Sequence, residues 1–225
     1  MIEERTLNCH LYNHREFAIF YDEDQLLNED INWLIASLEA EVANGHRFNE
    51  GDIFNIGWMM AKVQSHPDNL LTLSEPDFKE IPINYIHSVT NCLIHLRWQK
   101  EILTSYGLTD SSNHPSISQS VLICNHLYKA PEFAMQRLVA KNDDSGWQIV
   151  CVDPDHDHQD LTQLERITLY ELATTVQAKT IPFLVLPEGS QIVISGNEIF
   201  FTLNDEDQHI IEGSFLDTTG YTDLE

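Results

Sequence analysis

The 225-residue sequence predicts an α+β fold of two small mixed units, in which antiparallel strands and hairpins pack against helices. Two segments show the helical period, with apolar residues three and four positions apart. Short apolar runs bounded by Gly, Pro and Asn surround each segment and predict strands and hairpins. A stretch rich in Ser, Asn and Pro separates the two series. The chain is therefore divided into an N-terminal unit (1–108), a linker (109–117), a C-terminal domain (118–203) and an acidic tail (204–225).

The N-terminal unit is predicted to follow the order strand, helix, strand, strand, helix. The first helix shows one apolar face and stops at a glycine, which is a common C-terminal signal. The next segment alternates large and small residues, as a strand with one covered face does. The predicted elements are a strand at 16–21, a helix at 24–45, strands at 51–64 and 70–75, and a helix at 82–107.

The C-terminal domain is predicted to start with three strands, followed by a helix and a hairpin. The second and third strands are joined by the tight turn "NDDSG", and the last hairpin turns at Gly196 and Asn197. The predicted elements are strands at 120–127, 133–141 and 147–153, a helix at 168–178 and a hairpin at 190–203. The acidic tail shows weak periodicity and is expected to be mobile, unless its few apolar residues dock it.

Charge is the strongest compositional feature. The chain has 36 acidic residues against 12 Lys and Arg, and its net charge is −24. Nucleic acids and anionic membrane surfaces are excluded as partners, because both require positive charge. The remaining interpretations are solubility and electrostatic steering toward a basic protein.

The N-terminus is charged and carries no apolar core of a secretory signal, and no apolar run approaches the ~18 residues of a membrane span. A cytoplasmic location is expected. The four cysteines form no CxxC pair and are predicted to be buried free thiols, not zinc ligands; they are Cys9, Cys92, Cys124 and Cys151.

The segment 153–160, "DPDHDHQD", raises the question of a metal site, because zinc accepts His and Asp ligands. A calcium loop is not predicted, because His158 and Leu164 stand where the glycine and the bidentate glutamate are required. The favoured interpretation is a solvated acidic loop without metal or cofactor. A metal-binding protein or metal-dependent enzyme centred on this segment remains the alternative.

The "DSGW" stretch does not predict an active site. A serine nucleophile requires a strained turn such as GxSxG and a general base within reach, whereas Ser145 and Gly146 more simply shape a hairpin turn that Asp144 caps. Trp147 has two interpretations, as a core residue or as an interface hot spot among acids. No phosphate-binding loop occurs in the sequence.

The chain resembles a family of bacterial immunity proteins, the Imm-type domain numbered thirty-three and its relatives with a DSGW turn. The resemblance is carried by the segments "ICNHL", "MQRLVAKNDDSGWQIVC", "DPDHDHQDLTQLERITLYEL" and "LVLPEGSQIVISG". Segments of the N-terminal unit also resemble the leading part of longer members, so the resemblance spans about 17–203. It implies neutralisation of a cognate toxin from a contact-dependent or type VI-like competition system.

Together these observations predict a non-enzymatic inhibitor that binds a cognate toxin by direct protein–protein contact, and the net charge of −24 favours a basic toxin. A general scaffold or regulatory module is a further alternative. The residues expected at the contact are Asp143, Asp144, Trp147, Asp153, Asp155, His156, Asp157 and His158, with Ser145 and Gly146 shaping the turn.

Overall fold

The computed structural model describes residues 1–111, 113–158 and 160–220 and confirms an α+β fold. The strands are β1 (Ile2–Arg5), β2 (Phe17–Tyr21), β3 (Ile53–Ile56), β4 (Met59–His66), β5 (Leu70–Pro76), β6 (Tyr85–Ile86), β7 (Ser120–Cys124), β8 (Phe133–Arg137), β9 (Asp144–Cys151), β10 (Leu164–Thr168), β11 (Ser190–Ser195), β12 (Glu198–Leu203) and β13 (Glu206–Asp207). The helices are α1 (Asn28–Ala43), α2 (Thr90–Ser105), α3 (Leu169–Glu171) and α4 (Phe215–Thr218). Within the described ranges, no helix has the length and apolar character needed to cross a bilayer.

The chain divides into two compact units, Met1–Arg97 and Trp98–Glu225. This division falls within α2, upstream of the predicted linker at 109–117. The predicted domain limits therefore stay predictions. Ser112 of the linker lies outside the described residues.

In the first unit the sheet has the strand order β1-β2-β5-β4-β3, and β6 pairs with β5. The β2–β5 pair is parallel, whereas the other pairs are antiparallel. The apolar face of α1 is buried through Ile31, Leu34, Leu38 and Val42, as its period predicts.

Two predictions for the first unit are corrected. The alternating stretch 51–64 is not one strand but the hairpin of β3 and β4, which reverses at Gly57 and Trp58. The same side-chain alternation occurs on both arms, so the period alone did not reveal the reversal. The second helix starts at Thr90, because the residues before it form β6.

In the second unit the strand order is β10-β7-β9-β8-β11-β12-β13. The β7–β9 pair is parallel and the other pairs are antiparallel. The parallel pair matters for function, because the carboxyl ends of β7 and β9 meet at one edge of the sheet. The predicted helix at 168–178 is only the short α3, which continues as a π-helical turn to Val176.

The described part of the acidic tail docks onto the second unit. The backbone N–H of Ile211 donates to the carbonyl of Ser105 at 2.9 Å, and the N–H of Leu216 donates to the Ser105 hydroxyl at 3.2 Å. Leu216 is buried in α4. Of the two expectations for the tail, docking by its apolar residues holds for the part up to residue 220 and mobility does not, while residues 221–225 lie outside the described part.

A pH-dependent contribution to stability is expected from Glu16. Its carboxylate accepts hydrogen bonds from the Thr6 hydroxyl at 2.6 Å and from the backbone N–H groups of Cys9 and His10 at 3.2 and 2.8 Å. Burial raises the pKa of Glu16, but these hydrogen bonds outweigh burial and lower the pKa from 4.5 to about 2. Because the folded-state pKa is depressed, the contribution is present above about pH 4.5 and is lost as the pH falls toward about 2.

Urea unfolding across this pH window measures the effect. Glu16→Gln should show a shallower loss of unfolding free energy on acidification than the wild-type protein, and the exposed-site control Glu23→Gln should follow the wild type. Identical acid profiles for all three proteins would contradict the assignment.

Candidate functional site

The turn between β8 and β9 consists of Asn142 and Asp143, the first two residues of the predicted turn "NDDSG". Lys141 and Asp144 pair across it, with N–H to carbonyl distances of 3.1 and 2.9 Å, and Asn142 adopts a left-handed conformation with φ of 53°. Asp143 is therefore exposed at the tip of the turn. The prediction that Ser145 and Gly146 form the turn is wrong, because both lie within β9.

Ser145 and Gly146 instead shape the start of β9, where both are buried. The Ser145 hydroxyl donates to the carbonyl of Ser120 in β7 at 2.7 Å. The N–H of Gly146 donates to the Asp144 carboxylate at 2.9 Å, so Asp144 does cap this segment. The parallel pairing of β7 with β9 shifts register here. At this register shift the regular hydrogen bonds between β7 and β9 are interrupted, and the two side chains bind backbone groups there instead.

Trp147 is a core residue. Its side chain is fully buried, and the indole N–H donates to the carbonyl of Leu184 at 3.1 Å. The guanidinium carbon of Arg137 lies 5.5 Å from the centre of the ring. The expectation of an exposed aromatic hot spot at this position is therefore wrong, because the indole has no surface to offer a partner.

Arg137 is a buried cation held by carbonyl groups. Its Nη1 donates to the carbonyls of Asn113 at 2.8 Å and Leu186 at 2.5 Å. Burial lowers the pKa of Arg137 to about 10, with a smaller opposite effect from Glu188. The Arg137–Trp147 pair thus fixes the β8–β9 hairpin to the segment around Leu184 and supports the surface above it.

One face of the hairpin combines the exposed side chains of Leu138, Val139 and Asp143 with the half-buried Asp144, and we call these four residues the hairpin surface. Leu138 and Val139 are adjacent in the chain and are 43% and 64% exposed. Asp144 forms a 2.6 Å ion pair with Arg166 at the wall of a recess of about 370 Å³. Exposed aliphatic residues bordered by charge are typical of a protein contact.

The predicted contact residues in the segment after β9 differ in their exposure to solvent. Asp153, Asp155 and Asp157 are exposed, whereas His156 is buried and His158 is half-buried. The Asp153 carboxylate accepts from the backbone N–H of Asp155 at 3.0 Å and tightens the loop. The acids remain available to a partner, but His156 offers no surface to one.

The two histidines converge with two cysteines, which we call the Cys–His cluster: Cys124, Cys151, His156 and His158. Their potential ligand atoms all lie within 4.8 Å of one another. The Cys151 sulfur lies 3.2 Å from Nδ1 of His156 and 3.3 Å from Nε2 of His158. Burial raises the pKa of the Cys151 thiol and lowers the pKa of His156. All four cysteines of the chain are buried and free, as predicted.

The sequence alone does not indicate that Cys124 and Cys151 lie beside the histidines of the 153–158 loop. Cys124 ends β7 and Cys151 ends β9, and the parallel pairing of these strands brings the two thiols together. The available signal was the spacing Cys-x4-His-x-His from Cys151 to His158, after a strand that also ends in Cys. This spacing points to a four-residue cluster only when the parallel pairing of β7 with β9 is known, because that pairing brings Cys124 to Cys151.

Residues 98–203 match the family model of the Imm33-like domain. The matched segment begins at Trp98, where the second compact unit also begins. The resemblance to this immunity-protein family is thereby confirmed for residues 98–203, slightly less than half of the chain, and stays a prediction for the segment before residue 98. No curated protein and no solved structure matches the chain.

Proposed function

We propose that this chain, as the carrier of an Imm33-like domain, is an immunity protein that binds a cognate antibacterial toxin in the cytoplasm and neutralises it by direct contact, without enzymatic activity. The observation that carries the proposal is the family match over 98–203. The net charge of −24 supports a basic partner, because long-range attraction accelerates encounter between oppositely charged proteins.

The contact is proposed to use the hairpin surface, which lies at the start of β9, and the acids of the 153–158 loop, which follows the opposite end of this eight-residue strand. Leu138 and Val139 provide apolar surface that becomes buried on binding. Asp143 and Asp144 provide negative charge at the rim of the contact. Trp147 does not touch the partner in this proposal. It supports the hairpin from the core, through the hydrogen bond of its indole N–H to the carbonyl of Leu184.

The first test is capture from the native host with the tagged chain, followed by a rescue assay. We expect one stoichiometric partner that arrests growth when expressed alone and loses its toxicity when this chain is co-expressed. A captured protein without toxicity, or toxicity that this chain does not relieve, would contradict the proposal.

Once the toxin is available, Asp143→Lys should slow its association on the order of 10-fold at low salt, because this change reverses a charge at the rim of the contact. The matched control is Asp24→Lys, an exposed site in the first unit that gives the same change in net charge. Association rates measured by stopped flow compare the two variants. Equal slowing in both would mean that only net charge matters and that the hairpin surface is not the contact.

A further inference from the structure

We propose that Cys124, Cys151, His156 and His158 form a tetrahedral zinc site that fixes the 153–158 loop to the edge of the second sheet. Two ligands come from the ends of adjacent parallel strands, and two come from the loop that follows β9. Zinc accepts this donor set of two thiolates and two imidazoles in structural sites.

The distances within the cluster match a coordination sphere. Zinc bonds of about 2.3 Å to sulfur and about 2.0–2.1 Å to nitrogen place tetrahedral S and N ligands ~3.6 Å apart. The Cys151 sulfur lies 3.2 and 3.3 Å from the two histidine nitrogens. Shifts of a few tenths of an ångström would therefore place Cys151, His156 and His158 around one zinc ion, whereas the widest separation between ligand atoms of the cluster, up to 4.8 Å, would have to close by about 1 Å.

A second observation concerns His156, which is only 8% exposed. Its Nδ1 is the ring nitrogen that faces the Cys151 sulfur, at 3.2 Å, and is therefore the atom that would bind zinc. Its Nε2 points away from that sulfur, is buried without a hydrogen-bond partner among the described residues, and is not a ligand in this arrangement. The ring of His126 packs against His156 with centroids 3.8 Å apart, so the imidazole is held in place from its other side.

The donor set also determines the role of the metal. Four protein ligands complete a tetrahedral zinc site and leave no open position for substrate, so the site is structural and not catalytic. The metal would act on the loop that carries Asp153, Asp155 and Asp157, because His156 lies between Asp155 and Asp157 and His158 directly follows Asp157. Zinc would hold these carboxylates in fixed positions on the surface. Zinc binding itself does not depend on the proposed function.

The test uses the full chain, purified under reducing conditions and assayed without any toxin. We expect elemental analysis to show one zinc per chain. Cobalt(II), used as a spectroscopic probe after removal of zinc, should give the intense visible bands of a tetrahedral site with thiolate charge transfer. Absence of tightly bound zinc, an octahedral cobalt spectrum, or a Cys124–Cys151 disulfide formed in preference to metal binding would each overturn the proposal.

Variants then assign the ligands. His158→Ala lies on a half-buried loop position and should weaken zinc binding by more than about 100-fold, since loss of even an outer-shell partner commonly costs 10–100-fold. Cys151→Ser should remove the thiolate band of that sulfur. The controls are Cys92→Ser, a buried thiol of the first unit, and His209→Ala, an exposed histidine. Both controls should bind zinc as the wild type does, and a His158→Ala variant that also does so would overturn the ligand assignment.

Discussion

Trp147→Ala is expected to lower the free energy of unfolding by about 3–5 kcal/mol, the range for truncating a large buried aromatic residue. The side chain is fully buried, its N–H bond to Leu184 is lost, and Arg137 loses the ring against which it packs. Urea unfolding monitored by circular dichroism measures the change. Trp147→Phe keeps most of the volume and should cost clearly less, because the cavity is smaller.

The same variant separates a structural role from a contact role. If Trp147 were a hot spot, its truncation would weaken toxin binding while leaving the folded state nearly as stable as the wild type. The burial of the indole predicts the reverse order of effects: stability falls, and any loss of binding follows the fraction of unfolded chain. A variant of near-wild-type stability that no longer binds would contradict this account.

Local elements of the fold could be predicted from the sequence because their signals are local. The α1 helix shows its apolar face in its spacing, and the turn at Gly196 and Asn197 lies between β11 and β12, as its residues indicate. In contrast, β10 was missed, because none of its residues is fully buried and its partner β7 is about forty residues distant in the chain. Pairing of this kind leaves little trace in a single strand.

In the candidate site, too, the features that depend on long-range strand pairing could not be predicted from the sequence. The acids of the turn and loop were predicted to be exposed from their composition, and Asp143, Asp153, Asp155 and Asp157 are exposed. Trp147 was placed among the contacts because it neighbours acids in sequence, but strand alternation and its bond to Leu184 direct it inward. The Cys–His cluster depends on a parallel pairing of β7 with β9, which no local pattern encodes. Local sequence was enough to predict which acids are exposed, whereas the buried cluster could be recognised only once the pairing of the strands was known.

Gly146→Ala is expected to destabilise the second unit by about 3 kcal/mol or more, because two costs combine. The residue has a φ of +79°, where an L side chain is strained, and a Cβ there would lie 2.2 Å from the backbone oxygen of Leu138. That oxygen belongs to backbone, so the hairpin itself would have to move. The Leu138 N–H bond to the carbonyl of Gly146, now 2.9 Å, would be disturbed by the same movement.

Gly196→Ala is the matched control, because Gly196 has a φ of +57° and nothing lies within 4 Å of a Cβ added there. It should cost only the conformational strain, about 1–2 kcal/mol. The difference between the two variants in urea unfolding therefore isolates the contact with Leu138. Because that contact sets the path of the hairpin, Gly146→Ala should also displace the hairpin surface and weaken toxin binding in the fraction that remains folded. Equal destabilisation by both variants would show that the start of β9 can move away from Leu138 at little cost, and that the hairpin surface is not fixed by this close approach.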